Sequence, residues 1–162
     1  MKHISLTIQY TESETTSELE QADQLLMQEA AKSADTAYAP YSGFSVGAAI
    51  RLSNGKIVTG SNQENAAYPS GLCAERVALF SASSLYPDEV IETIAITIKT
   101  PHHIIEPVSP CGACRQVIAE YENKQNKSIK IIFSGETGKS YTVEGINNLL
   151  PITFNARNMN NG

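Results

Sequence analysis

The chain has 162 residues and a mass of 17.5 kDa, which is enough for one domain of ordinary size. A hydrophobic fraction of 41% predicts a packed core and excludes wholesale disorder. Twelve basic and 17 acidic side chains give a formal charge of −5, which disfavours nucleic acid as a partner, and no apolar run reaches the roughly 18–20 residues needed to cross a bilayer.

The first part of the chain predicts a leader followed by a helix. Residues 1–16 are alternating and then polar, which is typical of a loose or strand-like leader, and they lack the apolar stretch of a signal peptide. We therefore expect a cytoplasmic protein. Ser17 and Glu20 have the spacing of a capping box, which predicts a helix that begins there and continues to about residue 35.

Beyond a Pro and Gly break at residues 39–43, strands and helices alternate along the chain. This order predicts the α/β class, a sheet covered by helices, as a single domain over residues 1–162 with a loose Asn-rich tail at 155–162. The predicted strands are 45–52, 56–60, 92–99, 128–133 and 140–144, and the predicted helices are 73–85, 111–122 and 146–150.

Three cysteines carry the strongest chemical signal. Cys111 and Cys114 stand three residues apart at the start of a predicted helix and so share one face, while Cys73 starts another predicted helix. Helix N-termini favour the thiolate over the thiol. Three thiolates leave the fourth position of a tetrahedral zinc ion open, which is the arrangement of a catalytic rather than a structural site.

Charged residues next to these cysteines fit such a site. Glu75 is two residues from Cys73 and can accept a proton from a water molecule at the metal. Three thiolates carry more negative charge than a zinc ion neutralises. We expect Arg76 and Arg115 to offset the excess by donating hydrogen bonds to sulfur.

Other interpretations of these segments are open. The two cysteines of the C-x-x-C sequence could form a redox pair, although that leaves Cys73 and Glu75 unexplained. His102 or His103 could complete a closed, structural zinc site. The Gly- and Lys-containing run at 134–140 is not a phosphate-binding loop, because its first glycine would have to stand at residue 133, which is a phenylalanine.

Several motifs together resemble a known family. They occupy residues 39–49 (APYSGFSVGAA), 62–69 (NQENAAYP), 71–76 (GLCAER), 109–117 (SPCGACRQV) and 149–154 (LLPITF). With cysteine in the first half of the metal motif, the chain is similar to the small, homotetrameric, zinc-dependent cytidine deaminases. The similarity covers most of residues 38–154.

This resemblance implies a fold and an activity. The fold is a three-layer α/β/α sandwich around a five-stranded mixed sheet. The activity is hydrolysis of cytidine and deoxycytidine to uridine and deoxyuridine plus ammonia, in pyrimidine salvage. One zinc ion per chain is held by Cys73, Cys111 and Cys114, Glu75 shuttles protons, and a homotetramer shares its active sites, with neither nucleic acid nor membrane as a partner.

The resemblance also assigns substrate contacts within one subunit. Asn62 and Glu64 correspond to positions that hold the ribose 3′-hydroxyl, and Phe44 to one that packs against the nucleoside. The Ala74 N–H and the Ser109 carbonyl correspond to groups that bind the pyrimidine edge.

Three further residues match positions that act across a subunit boundary, Ala66 and Tyr68 as contacts and Phe154 as a base-stacking ring. Gln63 departs from the family pattern, which usually has a valine there. Two alternatives to cytidine deamination are a related deaminase that acts on another aminated ring, such as blasticidin S, and a non-catalytic binding module stabilised by zinc.

Overall fold

The computed structural model describes residues 1–155 and 159, and six strands and three α-helices lie in that part of the chain. None of the helices described there is long and apolar enough to cross a membrane. The strands are β1 (Thr11–Ser13), β2 (Ser45–Leu52), β3 (Ile57–Ser61), β4 (Ile91–Lys99), β5 (Lys130–Ser134) and β6 (Ser140–Glu144), the helices are α1 (Gln21–Ala34), α2 (Ala74–Leu85) and α3 (Gly112–Gln125), and short 3₁₀ turns occupy Thr16–Glu18, Tyr68–Ser70 and Ile146–Asn148.

All six strands belong to one mixed sheet. Its spatial order is β1-β6-β5-β4-β2-β3, with β4 and β5 parallel and each of the other neighbouring pairs antiparallel. The predicted α/β class and mixed sheet are confirmed. The predicted count of five strands is one too low, because Thr11–Ser13 of the leader pairs with β6 at the edge of the sheet.

Alternation along the strands produces two cores. In β4, Ile94 and Ile96 pack on the face that α2 and α3 cover, whereas Ala95 points to the other face. There it packs with Leu26 and Ala30 of α1. The sheet is therefore buried on both faces, which explains its apolar, isoleucine-rich strands and confirms the predicted three layers.

Two glycines let the helices lie directly on the sheet. A Cβ atom at Gly47 would be 1.9 Å from the Ala30 carbonyl oxygen of α1. On the opposite face, a Cβ atom at Gly60 would be 2.5 Å from the Ala78 nitrogen and 2.7 Å from the Ala74 oxygen. Contacts below 3 Å are sterically forbidden, so the absence of a side chain at Gly60 sets how closely the first turn of α2 approaches the sheet.

The predicted capping box is wrong. Helix α1 begins at Gln21, and its N-cap residue, Glu20, makes no side-chain capping hydrogen bond. The Ser17 hydroxyl instead lies 2.6 Å from the Thr15 hydroxyl, within a separate 3₁₀ turn. The helix predicted at 146–150 is likewise only a 3₁₀ turn, Ile146–Asn148.

Residues 1–10 are exposed and form neither helix nor strand, although Tyr10 packs on Tyr141 with 4.8 Å between ring centroids. Residues 156–158 and 160–162, which include most of the tail predicted to be loose, lie outside the described residues.

Candidate active site

The N-termini of α2 and α3 bring the three cysteines together. Cys73 is the N-cap residue of α2, Cys111 is the N-cap residue of α3, and Cys114 lies in the first turn of α3. The Sγ atoms are 3.8 Å apart for Cys73 and Cys111 and 3.5 Å apart for Cys111 and Cys114, and all three lie within 4.8 Å of one another. Tetrahedral coordination with Zn–S bonds of 2.3 Å requires sulfurs about 3.8 Å apart, so this donor set fits a zinc ion.

No fourth protein ligand joins the triad in the described part of the chain, since the only metal-binding group of histidine, cysteine or acidic residues there is the three cysteines. His103, one of the predicted alternatives, contacts Glu136 and Thr137 through its two ring nitrogens instead. Neither histidine is part of the group, which contradicts the closed structural site. Three ligands with an open position are the pattern of a catalytic zinc.

Two of the three cysteines, Cys73 and Cys114, have pKa values shifted in opposite directions. Hydrogen bonding from the Cys114 thiol, together with the guanidinium of Arg76, lowers the pKa of Cys73 to about 5. The same Cys73 interaction and burial raise the pKa of Cys114. One proton is therefore held at Cys114 when no metal is bound, and metal binding must displace it.

The two neighbouring arginines have different partners. Nη2 of Arg76 lies 3.7 Å from Cys73 Sγ, as expected, and its buried Nε has no hydrogen-bond partner in the described structure. The Arg115 guanidinium donates to three oxygens rather than to sulfur: the Pro110 carbonyl at 2.8 Å, the Leu149 carbonyl at 2.8 Å and the Ser109 hydroxyl at 2.9 Å. Arg115 therefore ties the segment before Cys111 to the C-terminal segment.

Glu75 lies beside the triad at the second position of α2 and is only 4% exposed. Burial raises the pKa of its carboxyl group, and the negative charge of Cys73 raises it further. A carboxyl group that is shielded from bulk water and whose pKa moves toward neutrality can both accept and return a proton during one reaction cycle.

A cleft of about 830 Å³ opens in front of Glu75 and the cysteines. Its size is typical of a small-molecule site. Its walls include most of the residues that the sequence singled out: Phe44, Asn62, Glu64, Tyr68, Cys73, Glu75, Arg76, Ser109 and Cys111. Ala74 does not line the cleft itself: it stands between the lining residues Cys73 and Glu75 and is fully buried, and its N–H, at the first position of α2, has no acceptor within the helix.

Asn62 and Glu64 also shape the cleft wall. The Asn62 side chain accepts a hydrogen bond from the Val46 N–H at 2.7 Å and donates one to the Phe44 carbonyl at 2.9 Å. The Glu64 carboxylate accepts from the Tyr41 N–H at 2.9 Å and from the Ser42 hydroxyl, and these bonds lower its pKa. Glu64 is therefore an ionised acceptor held at a fixed place in the wall.

Three predicted substrate contacts are largely exposed to solvent. Two of them, Ala66 and Phe154, do not line this chain's own cleft, and the third, Tyr68, contacts it only at the rim. Ala66 is exposed outside the cleft. Phe154 is 60% exposed, and its carbonyl accepts from the Gln116 amide at 2.7 Å. Tyr68 is 76% exposed at the rim, where its ring lies 6.1 Å from that of Tyr41.

Sequence reasoning missed some of the cleft. Ile96 and Val108 line it, but as apolar residues they looked like ordinary core positions. Ser42 belongs to the first motif without an assigned role, yet its hydroxyl donates a hydrogen bond to the Glu64 carboxylate. A serine two residues before Phe44 offers no signal by itself, because its partner is 22 residues away in the sequence.

A cluster of three thiolates with an open position, a buried carboxyl group beside it and a cleft in front define a zinc-dependent hydrolytic enzyme. Residues 20–129 match the family model described as the cytidine and deoxycytidylate deaminase zinc-binding region. The chain therefore belongs to the cytidine and deoxycytidylate deaminase family.

Individual relatives agree with this assignment. The chain is 40% identical over 137 residues to a cytidine deaminase of Halalkalibacterium halodurans, a match that covers 85% of this chain and 97% of the relative. The crystal structure of cytidine deaminase from Burkholderia pseudomallei superposes with a TM-score of 0.70 at 38% identity, covering 80% of this chain and 97% of that one. The Mycobacterium tuberculosis structure gives a TM-score of 0.63 at 30% identity, covering 81% and 95%.

Proposed function

We propose that this protein hydrolyses cytidine and deoxycytidine to uridine and deoxyuridine with release of ammonia, as a single-domain cytoplasmic enzyme of pyrimidine salvage. The observation that carries the proposal is the buried Glu75 carboxyl group beside a zinc-binding cysteine triad, at the base of a nucleoside-sized cleft. The family match and the named relatives support the reaction. Free cysteines at this spacing suit a reducing compartment such as the cytoplasm.

Cys73, Cys111 and Cys114 would hold the zinc ion, and the chemistry that zinc supplies in such a site is Lewis-acid activation of water. Glu75 takes the proton that the attacking water loses and delivers it to N3 of the ring as the oxygen bonds to C4. It then carries the second water proton to the departing amine, which leaves as ammonia when the C4–N bond breaks. Arg76, bonded to Cys73, balances part of the thiolate charge.

The cleft wall supplies the substrate contacts of this proposal. Asn62 and Glu64 bind the ribose 3′-hydroxyl, and Phe44 packs against the nucleoside. The Ala74 N–H and the Ser109 carbonyl bind the pyrimidine edge. Phe44, Asn62, Glu64 and Ser109 line the same cleft, and Ala74 stands in the chain between two further lining residues, Cys73 and Glu75, which supports the assignment.

The charges of the cleft favour a neutral nucleoside over a nucleotide. Among the described residues that line it, the ionisable side chains include the carboxyl groups of Glu64 and Glu75, and the one arginine, Arg76, is already bonded to sulfur. A 5′-phosphate brought close to these carboxylates would be repelled, and no unpaired cationic side chain stands among those described lining residues to offset the repulsion.

The decisive experiment follows the loss of cytidine absorbance with purified protein of known zinc content. We expect turnover of cytidine and deoxycytidine, with the 5′-monophosphates poorer substrates. Preference for a monophosphate would contradict the substrate class, and faster turnover of blasticidin S would favour the related deaminase. Bound zinc without ammonia release from any nucleoside would identify a binding module.

Replacing Glu64 tests the ribose contact. In Glu64→Gln, the amide keeps a hydrogen-bond acceptor for the Tyr41–Ser42 turn but loses the charge that binds the hydroxyl. We expect KM for cytidine to rise at least tenfold, with little change in unfolding temperature, because a site built around a substrate hydroxyl discriminates strongly. Glu122→Gln is the matched control, since that carboxylate also accepts backbone N–H groups but lies outside the cleft. Wild-type kcat/KM in Glu64→Gln would remove Glu64 from the ribose site.

We also propose a homotetramer in which Ala66, Tyr68 and Phe154 complete the active site of a neighbouring subunit. Their exposure outside, or at the rim of, the chain's own cleft supports a role toward a neighbour. Light scattering at assay concentration is expected to give about four times the chain mass of 17.5 kDa. A fully active species of one chain mass would contradict shared sites.

A further inference from the structure

The leader presents a row of exposed apolar side chains that the catalytic chemistry does not use. Ile4, Leu6, Ile8 and Tyr10 alternate with polar residues, the spacing that puts apolar side chains on one side of a segment when its backbone is extended. Their exposures are 76%, 60%, 55% and 54%, respectively. A contiguous apolar row that stays uncovered within its own chain marks an interaction surface.

The end of this row is held by the sheet. Strand β1 pairs with β6, and the Tyr10 ring lies 4.8 Å from the Tyr141 ring, which in turn lies 5.7 Å from Phe133 in the core. The Gln9 N–H donates to the Asn148 side chain at 2.8 Å. The leader is therefore fixed to the β1 edge of the sheet at Gln9 and Tyr10, and Ile4, Leu6 and Ile8 precede that fixed point in the chain.

The leader lacks the residues that usually protect exposed edge segments from pairing with other chains. Natural proteins protect such segments with charge or proline, yet residues 4–11 contain neither. An uncharged, alternating run of this kind is an aggregation hazard when it stays exposed. In a folded protein that remains soluble, a specific contact has to provide that cover.

The distribution of charge and the position of the leader in the chain indicate which protein covers its apolar side chains. Residues 1–10 contain Lys2 and no acidic side chain, so the other residues hold 11 of the 12 basic and all 17 acidic side chains. A second copy therefore offers an acidic body to a leader that is neutral to basic. The leader also lies before residue 20, where the family model begins, so the shared catalytic core does not account for it.

We propose that residues 4–10 form an assembly arm: Tyr10 anchors it on the sheet of its own chain, and the apolar side chains of Ile4, Leu6 and Ile8 pack against a second copy of this chain. The arm adds an interface of its own to those that shared active sites would require. The proposal concerns the association of subunits and not the reaction. Its tests therefore measure the mass of the oligomer and the proximity of chains rather than turnover.

The test compares two charged double variants of the arm. Leu6→Asp/Ile8→Asp places charge on the apolar face, and Ser5→Asp/Thr7→Asp places the same charge on the polar face of the same segment. Sedimentation velocity over a dilution series measures the concentration at which half the oligomer dissociates. We expect that concentration to rise at least tenfold for the apolar-face variant and by a clearly smaller factor for the polar-face variant, whose added charge weakens only the electrostatic part of the contact. Equal zinc content in both variants verifies the fold.

Unchanged dissociation in both variants would overturn the proposal, and so would equal shifts in both, since those would reflect added charge and not the apolar face. A second measurement places a photo-cross-linking residue at Leu6 in a mixture of tagged and untagged chains. We expect cross-linked pairs that contain one chain of each kind. Cross-links only within one chain, or only to a different protein when the reaction is run in a lysate, would overturn the assignment of a second copy.

Discussion

Glu75→Gln is expected to abolish turnover while leaving the zinc site and the fold intact. The amide keeps the shape and hydrogen bonding of the carboxyl group but cannot accept a proton. Each transfer by a positioned side chain is worth about 10²–10⁴-fold, and Glu75 serves at least two transfers in one cycle, so kcat should fall by more than one such factor. Because burial already disfavours the charged form of Glu75, the neutral amide should not lower the free energy of unfolding.

Three measurements on the same variant separate the possible roles of Glu75. Metal analysis is expected to show one zinc per chain, thermal unfolding to match the wild type, and equilibrium binding to detect nucleoside. Retained turnover within about tenfold of the wild type would remove Glu75 from the proton transfers. Loss of zinc would instead make it a fourth ligand, in conflict with its absence from the three-cysteine group.

Cys73→Ala is expected to lose the metal and all activity. Two remaining thiolates, Cys111 and Cys114, cannot hold zinc tightly against chelators or cellular competitors. Zinc binds only the folded state, so its loss lowers the free energy of unfolding. The loss is about 4 kcal/mol when the free zinc concentration is a thousandfold above Kd. Metal analysis after dialysis and thermal unfolding with and without added zinc measure both effects.

The Glu75→Gln variant is the matched control for metal loss, since it alters the same helix turn without removing a sulfur. Full zinc occupancy in Cys73→Ala would show that the ligand set has been misassigned. The wild type should also release zinc on acidification, because protons compete with the metal for the three sulfurs.

Local patterns in the sequence determined most of the architecture. Alternating isoleucines predicted β4, helical spacing predicted α2 and α3, and the structure has these elements within three residues of the predicted bounds. Such patterns are readable because each helix or strand must bury one face or both. The cysteines and Glu75 were also evident from the sequence, because a metal needs particular ligand types at particular spacings.

Features that depend on residues far away in the sequence could not be predicted from local patterns. Strand β1 has three residues of polar sequence and exists because β6, more than 120 residues later, offers it an edge. Ser17 and Glu20 match a capping box, but α1 begins at Gln21 and its N-cap residue, Glu20, makes no side-chain capping bond. Arg115 follows a zinc ligand directly, yet its guanidinium binds the Leu149 carbonyl 34 residues away.

The active site itself combines both kinds of information. The sequence by itself determined which residues carry the chemistry, because Cys73, Glu75, Cys111 and Cys114 are recognisable by type and spacing. Only the tertiary structure decided that they meet, since α2 and α3 must cover the same face of the sheet to bring Cys73 Sγ within 3.8 Å of Cys111 Sγ across 38 residues of sequence. Spacing within a helix is set by local geometry, whereas the approach of two helices depends on the whole core, including the bare backbone of Gly60 beneath α2.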